Sequence, residues 1–338
     1  MSELDDQTID PAVVDAAQAL ADEVLFPGAL ETDDSDLLPV ERLDALADAG
    51  FFGLFAPPEV GGLGANGPTM LAAVEAISSG CLTTSLVWCQ HFALLGNVVF
   101  GADHLRDRYA QDAARGRVRG GIAFGGLLPG PPILTATQAD GGWVLDGRAP
   151  WVSGWGRIDL IHVAARGPDD TVVNVLIDAV ETEGVRAERL RLAAVDASAT
   201  VHLTFDQLLV PEDRLLSVQP YDPAASLGSS LRMNGSLALG VAARCCTLIG
   251  SSPLDDQLTA RRHALDTASA DDMAAERART SAFAVQAATA LMAQVGSRAI
   301  LREEHAQRLA REAQFLLIFG NRPMIREALL ATLTSRAG

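Results

Sequence analysis

The chain has 338 residues, of which 49% are hydrophobic, and its formal net charge at pH 7 is -17. This length is sufficient for one large domain or two to three smaller ones, each with a buried core. The strongly negative charge argues against nucleic acids and anionic membrane surfaces as partners, because both would repel the chain.

Further features of the composition limit the chemistry and the location. All 26 basic residues are arginine, and the lack of lysine excludes Schiff-base chemistry and a Walker A loop. No apolar run reaches the about 18 residues that span a membrane, and the acidic start MSELDDQTIDPAVVD does not resemble a signal peptide. The four cysteines lack CxxC spacing, which predicts a reducing, cytoplasmic compartment.

The first third of the chain has the periodicity of helices. PAVVDAAQALADEVLF and PVERLDALADAGFFGLF repeat apolar residues every three or four positions, and Gly50 and Gly53 are predicted to end the second helix. Between them, ETDDSD (31–36) is predicted to be a solvated loop, and APPEVGGLGANG is predicted to be an irregular loop further on. Three more helices are predicted at PTMLAAVEAISSG, LTTSLVWCQHFALLGNVVF and ADHLRDRYAQDAARG.

Residues 118–218 show the pattern of short strands instead. Six segments rich in β-branched and aromatic residues are separated by Gly, Pro or Asp: RGGIAFGG, ILTATQ, GWVLDGRAPWVSG, IDLIHVAAR, TVVNVLID and VHLTFDQLLV. Their spacing of roughly ten residues predicts a small antiparallel sandwich or barrel. Helical patterns return from about residue 225 and predict a bundle-like region.

The predicted fold class is therefore α+β, with three domains in chain order. An N-terminal helical domain takes residues 1–117, a middle β domain takes residues 118–218, and a C-terminal helical bundle takes residues 219–338. Runs of helices on either side of a run of strands are typical of this class.

Several common kinds of catalytic site have no support in the sequence. The histidines show no HExxH or ExxH spacing, so no metal site is expected. They are His91, His104, His162, His202, His263 and His305. A G-x-S-x-G elbow for a serine hydrolase is absent, and the Gly-rich GGLGANG does not follow a strand, as a dinucleotide-binding loop must.

The segment WVSG (151–154), at the end of a predicted strand, is a candidate for a binding site. An indole and a hydroxyl at a strand end suit a flat heteroaromatic ring, since the indole can stack on its face and the hydroxyl can bond its edge. From these residues alone, the alternative that Trp151 fills the core of the sandwich is better supported.

Several separated stretches resemble the acyl-CoA dehydrogenase superfamily and occur in that family's order. They are LADAGFFGLFAPPEVGGLGANGPTMLAAVEAISSGC, GWVLDGRAPWVSGWGRIDLIHVAAR, VHLTFDQLLVPEDRLL, ALGVAARC and AREAQFLLIFGNRPMIREALLATL. The resemblance covers nearly the whole chain and implies a divergent, shortened member with a helix–β–helix fold. It also implies FAD as cofactor and an acyl-CoA or acyl-carrier thioester as substrate.

The resemblance also implies where the flavin and the acyl group would lie. The family's W-I-T/S tripeptide, which packs on the flavin, matches three residues: Trp151, Val152 and Ser153. The family's T-E-P-x-x-G-S-D loop is replaced by GIAFGGLLPGPP, which leaves backbone contacts to the ring from Ala123, Phe124 and Gly125. The family's acyl pocket matches Trp88, Cys89 and Gln90, although ordinary helix core explains these three residues equally well.

Two departures from the family lie near the expected chemistry. Its catalytic base is a Glu in a Y-E-G-T turn, and the matching IFGNRP offers only Phe319, Gly320 and Asn321. The alternative base position falls near Ser230, so neither position has the carboxylate that proton abstraction needs. The family's R-x-x-F-G segment, whose arginine reaches a neighbouring subunit's flavin pyrophosphate, is replaced by SSPLDDQLTARRHALDTA, where Arg261 and Arg262 are the available cations.

Three functions remain open at this point. The first is a divergent acyl-CoA dehydrogenase whose base comes from elsewhere, with Glu303, Glu304 and Glu312 as candidates. The second is a flavin-dependent monooxygenase of the same fold, and the third is a non-catalytic partner subunit of an active homologue. The resemblance further implies a homo-oligomer, or a hetero-oligomer with a homologous subunit, formed through the Ala- and Leu-rich helices between residues 273 and 333.

Overall fold

The computed structural model describes residues 8–222, 227–320 and 322–334. Six helices precede the sheet: α1 (Pro11–Leu20), α2 (Ala29–Asp34), α3 (Val40–Asp48), α4 (Gly67–Gly80), α5 (Leu82–Phe100) and α6 (Asp103–Ala114). Eight strands follow: β1 (Gly120–Ala123), β2 (Leu134–Ala139), β3 (Gly142–Val152), β4 (Leu160–Arg166), β5 (Thr171–Asp178), β6 (Val185–Arg189), β7 (Val201–Pro211) and β8 (Leu215–Pro220). Five helices end the chain: α7 (Leu227–Ile249), α8 (Pro253–Thr267), α9 (Met273–Val295), α10 (His305–Ile318) and α11 (Pro323–Thr334).

The eight strands form one mixed sheet rather than the antiparallel one predicted. Its main path has the order β6-β7-β3-β2-β4-β5-β8, and β1 pairs with β4 beside it. All neighbours are antiparallel except that β1 and β2 each run parallel to β4. The prediction is wrong at β4 because long connections, and not hairpins, join that strand to β1 and β2, and such connections permit parallel pairing.

The two strands that sequence patterns missed, β6 and β8, lie at the ends of the main path. β6 has the sequence VRAER, and the last three residues of β8 are exposed and end at Pro220. Edge strands commonly carry charges and proline, which prevent pairing with other chains. They therefore lack the apolar alternation on which strand prediction depends.

The N-terminal and C-terminal helices share one hydrophobic core. It contains Phe51 and Trp88 from the first part of the chain, and Leu237, Phe283 and Leu316 from the last part. The sheet has a separate core on its inner face. Long helices of both ends thus pack together and the sheet docks beside them, in the predicted helix–β–helix order; the exact domain limits remain predictions.

The segment ETDDSD is not the solvated loop that its charge predicted. Residues Ala29–Asp34 form α2, and the Asp33 carboxylate accepts hydrogen bonds from both terminal nitrogens of Arg311 on α10. The Thr32 side chain is fully buried and its hydroxyl donates to the Gly28 carbonyl over 3.1 Å. Arg311, 278 residues further along the chain, pairs with Asp33 and so includes this acidic segment in the contact between helices. The local sequence does not show that partner.

Candidate functional site

Trp151 lies on an interruption of the sheet at the end of β3. The pairing of β3 with β7 shifts register between Ala149 and Val152, as in a β-bulge. Trp151 has φ +63°, a left-handed conformation that is costly for a residue with a side chain, and its side chain is 63% exposed. Trp151 therefore does not fill the core, and the neighbouring Val152, which is fully buried, takes that place.

Two polar side chains near Trp151, those of His202 and Ser153, can still form hydrogen bonds with a ligand. The ring of His202 on β7 meets it edge to face, with centroids 5.8 Å apart. His202 Nδ1 is buried and has no hydrogen-bond partner among the described residues. Ser153, two residues after Trp151, is 8% exposed, and its hydroxyl lies 2.8 Å from that of Thr200. An aromatic face and an unsatisfied ring nitrogen thus lie in contact, and a buried hydroxyl follows two residues along the chain.

Residues 123–125 lie against the same part of β3. Ala123 ends β1 and is buried, and the Phe124 ring packs edge-on against the His162 ring with centroids 4.9 Å apart. A Cβ on Gly125 would lie 2.5 Å from the Arg148 carbonyl oxygen, so only glycine fits there. The loop therefore contacts β3 at Arg148, three positions before Trp151. The flavin contacts of residues 123–125 remain a prediction.

His162, which packs against Phe124, has two buried hydrogen-bond partners that determine which of its ring nitrogens carries the hydrogen. Asn97 Nδ2 lies 3.4 Å from His162 Nδ1, and the Asn174 side-chain oxygen lies 2.9 Å from Nε2. Because the amide of Asn97 is a donor, Nδ1 accepts and Nε2 carries the hydrogen that is donated to Asn174. Burial lowers the pKa of His162 to about 4, so this imidazole is neutral at pH 7.

We expect the free energy of unfolding to fall as the pH is lowered from 7 to 5. Burial lowers the pKa of His91 to about 3 and that of His162 to about 4, whereas both are near 6.5 in the unfolded chain. Below pH 6.5 protons therefore bind the unfolded chain preferentially, and each histidine costs about 1.4 kcal/mol per pH unit. Urea unfolding at the two pH values measures the loss, roughly 4 kcal/mol for the pair at pH 5.

A matched pair of variants measures the share of this loss that comes from His162. His162→Gln is expected to remove about 2 kcal/mol of the pH-dependent loss at pH 5, while His91 and the partly buried His305, whose pKa burial lowers to about 4, continue to contribute. His263→Gln, at an exposed position, should leave the loss unchanged. Equal stability at pH 7 and pH 5 would contradict the assignment of these histidines as neutral.

The three residues predicted to line an acyl pocket have different environments. Trp88 is fully buried, and its indole N–H donates to the Phe51 carbonyl over 3.1 Å. Cys89 is also buried, and burial raises the pKa of its thiol, which therefore stays protonated. Gln90 is half-buried and its amide donates to the Leu86 carbonyl. Their place in a pocket remains a prediction, and of the three Gln90 has the most surface for a ligand.

The candidate bases are not brought to Trp151 by any contact among the described residues. Glu312 is buried in the helical core, where its carboxylate accepts a hydrogen bond from Arg308. Glu303 is exposed, and Glu304 pairs with Arg298 at a surface turn. Of the positions that match the family's base, Phe319 and Gly320 directly follow α10, and Ser230 lies in α7. Asn321 lies outside the described residues. No residue is assigned as the base.

The two cations expected to meet a pyrophosphate are already paired. Arg262 Nε lies 3.1 Å from both carboxylate oxygens of Glu75, and Arg261 lies 3.4 Å from Glu276. Arg148 and Arg186, by contrast, form no side-chain hydrogen bond or ion pair with the rest of the described chain. They line a groove of about 640 Å³ on the outer face of β3, β7 and β6, the face on which His202 lies; it also contains Asp146 and Asp206.

Neither a membrane-spanning helix nor a cluster of metal ligands is present among the described residues. No helix there is both long enough and apolar enough to cross a membrane. Nor does any group of three or more His, Cys, Asp and Glu side chains in residues 8–222, 227–320 and 322–334 have the arrangement of a metal site.

The fold is that of the acyl-CoA dehydrogenases. Butyryl-CoA dehydrogenase from Megasphaera elsdenii superposes with a TM-score of 0.81 at 19% identity, over 98% of each chain. A glutaryl-CoA dehydrogenase from Mycobacterium smegmatis, solved in complex with FADH2, gives a TM-score of 0.79 at 17% identity, over 99% of this chain and 96% of that one. These likenesses establish the class of fold, with helices, a mixed sheet and helices in that order.

Sequence comparison agrees with the fold. Residues 10–117 match the family model described as "Acyl-CoA dehydrogenase, N-terminal domain". Benzylmalonyl-CoA dehydrogenase from Aromatoleum aromaticum is 28% identical over 68% of this chain and 64% of its own length. These matches confirm the resemblance to the acyl-CoA dehydrogenase superfamily, and the structural neighbour solved with FADH2 agrees with FAD as the cofactor of that family. It spans between half and two thirds of the curated relatives it matches.

Proposed function

We propose that this protein is an FAD-dependent oxidoreductase that acts on a CH–CH bond of an acyl-CoA or acyl-carrier thioester. The observation that carries the proposal is the conformation of Trp151, an exposed aromatic ring on a left-handed backbone at the end of a strand. Such strain persists only where the surrounding structure enforces it, and it is concentrated at ligand sites. The family match supports the same reading.

The residues around Trp151 fit a flavin ring. The indole offers a face for stacking, and the Ser153 hydroxyl can bond a polar ring edge. His202 Nδ1, buried without a partner in the described chain, is the kind of atom that a bound polar ligand satisfies. Arg148 and Arg186 are the cations on this face left for a phosphate. When bound, FAD supplies the hydride acceptor of the oxidation.

The chain's own residues would bind and orient rather than move a proton. Ala123, Phe124 and Gly125 bring no ionisable side chain to the loop that meets the thioester in the family. The positions that match the family's base likewise carry Phe319, Gly320 and Ser230, none of which is a carboxylate. That observation favours two alternatives that need no base at the α-carbon, a flavin-dependent monooxygenase and a non-catalytic partner subunit.

The visible absorption spectrum of the purified protein is the experiment that tests this proposal. We expect the purified protein to contain stoichiometric FAD. Anaerobic addition of one acyl-CoA, from a panel of short, branched and aryl-substituted thioesters, should bleach the visible absorbance of the flavin, because bleaching reports hydride transfer. Bound FAD that no thioester bleaches would favour the monooxygenase. Protein that takes up no added FAD would contradict both enzymes and leave the partner subunit.

We also propose that the protein assembles through its C-terminal helices. Ile318 at the end of α10 is 66% exposed, and Leu330 and Leu333 on α11 are 56% and 53% exposed. Large apolar side chains exposed together commonly mark a protein interface. The partner would be a second copy of this chain or a homologous subunit. A cytoplasmic location remains a prediction.

A further inference from the structure

Three buried hydroxyls form a chain that ends at Ser153, two residues after Trp151. Ser198 Oγ lies 2.9 Å from Thr200 Oγ1, which lies 2.8 Å from Ser153 Oγ. Ser198 is 1% exposed, Thr200 2% and Ser153 8%, so all three hydroxyls are buried and Ser153 keeps the most surface. The described structure gives these side-chain oxygens no other hydrogen-bond partner.

The number of hydrogens determines what this chain can do. Three hydroxyls carry three hydrogens, and the two bonds between them use two. If the third hydrogen belonged to Ser198 or Thr200, a buried donor would be left unsatisfied, which costs about 1–3 kcal/mol. The arrangement of lowest cost has Ser198 donating to Thr200 and Thr200 donating to Ser153. The remaining hydrogen is then on Ser153, the most exposed of the three hydroxyls.

The loop that carries Ser198 and Thr200 is held rigidly in place. Val195 (φ +55°) and Ala199 (φ +47°) have left-handed conformations on either side of a tight turn, Asp196–Ser198. The Ser198 carbonyl accepts from the Gly154 N–H over 2.7 Å, and the Ala197 carbonyl accepts from the Leu38 N–H over 2.7 Å. The loop is thereby fixed both to the residue that follows Ser153 and to the N-terminal helical region.

We propose that Thr200 and Ser198 are positioning residues that direct the Ser153 hydroxyl hydrogen outward, toward a hydrogen-bond acceptor on the edge of the FAD ring. This inference rests on the proposed function. Thr200 acts on the cofactor only through Ser153, because the Thr200 hydroxyl is buried and already hydrogen-bonded to Ser153 and Ser198. Oxidised flavin presents ring nitrogen and carbonyl acceptors, so a fixed donor matches its chemistry.

The experiment is a double-mutant cycle on FAD affinity, measured by fluorescence titration of apoprotein with FAD. Thr200→Val keeps the shape but removes the hydroxyl, and Ser153→Ala removes the donor; each is expected to raise the Kd about fivefold, the worth of one hydrogen bond. In the Ser153→Ala background, Thr200→Val should produce no further change. Both single variants should shift the bound flavin's absorption maxima in the same direction.

Two further variants control for packing. Thr200→Ser restores a hydroxyl at the same place and is expected to bind FAD within twofold of the wild type. Thr280→Val removes another fully buried hydroxyl, one that donates to the Glu276 carbonyl within α9, and should leave the Kd unchanged. Together these variants separate loss of the hydroxyl chain from a general loosening of the fold.

The outcomes distinguish this inference from the proposed function. Wild-type protein that binds no FAD overturns both. Wild-type protein that binds FAD, with Thr200→Val binding equally well, overturns the positioning role alone. An equal fivefold loss from Thr200→Val with and without Ser153 would also overturn it, because Thr200 would then act independently of Ser153.

Discussion

Replacing Arg308 by methionine is expected to lower the free energy of unfolding by about 3–5 kcal/mol, since it leaves a buried carboxylate without its cation. Arg308 Nη1 lies 2.6 Å from Glu312 Oε1, one helical turn away on α10, and the two side chains are 1% and 3% exposed. Burial raises the pKa of Glu312, because the charged form has lost its water. Urea unfolding at pH 7 measures the loss.

A second substitution should reverse most of that loss. Arg308→Met combined with Glu312→Leu replaces the pair by apolar side chains and is expected to unfold within about 2 kcal/mol of the wild type. Arg302→Met is the matched control, because its pair with Asp34 spans 3.2 Å at the surface, with side chains 79% and 80% exposed. It should change stability by less than about 0.5 kcal/mol.

The pH dependence of the single variant gives an independent check. Without Arg308, the buried Glu312 carboxyl binds a proton more tightly than in the unfolded chain, so protonation stabilises the folded variant. The difference in stability between wild type and Arg308→Met should therefore shrink as the pH falls from 7 toward 5. A difference below about 1 kcal/mol at pH 7, or one that grows in acid, would contradict a buried ion pair.

Much of the fold could be predicted from periodicity, because long elements with one buried face have regular apolar spacing. Helices such as α5 and the central strands β3, β4 and β5 were all found in this way. The failures share a cause: β6 and β8 lie at edges with little buried surface, and α2 is packed through Asp33 and Arg311 from opposite ends of the chain. The secondary structure of these three segments therefore depends on tertiary contacts and not on their local sequence.

The candidate site was predictable only where its residues are adjacent in sequence. The segment containing Trp151 and Ser153 was found because indole and hydroxyl stand two positions apart, with the family's tripeptide as a guide. His202 and Thr200 were missed, although VHLTF alternates polar and apolar residues and so places His202 and Thr204 on one strand face. What the sequence does not show is that β7 pairs with β3, which brings His202 to Trp151.

Replacing Trp151 by alanine is expected to raise the Kd for FAD about 10- to 100-fold, since stacking of a heteroaromatic ring on an aromatic side chain contributes about 1–3 kcal/mol. Trp151→Phe retains an aromatic face and should lose less than tenfold. FAD titration of apoprotein measures both. The fold should be unaffected, because the Trp151 side chain is 63% exposed and packs little of the core.

Trp151→Gly distinguishes a functional tryptophan from an incidental one. Glycine adopts φ +63° without the steric cost that tryptophan bears there, so this variant is expected to bind FAD as poorly as Trp151→Ala while losing none of the apoprotein's stability through backbone strain. Asp169→Gly, at an exposed position with φ +53° in the turn between β4 and β5, is the matched control and should leave the Kd unchanged.

If Trp151→Gly and Trp151→Ala bind FAD as tightly as the wild type, the strained ring does not meet the flavin, and the observation on which the proposed function rests is lost. If both bind poorly and remain folded, the backbone strain at residue 151 serves ligand binding. Selection for stability alone would favour glycine at this position, because a left-handed backbone accommodates glycine at lowest cost. The retention of tryptophan there is then explained by what its exposed face binds.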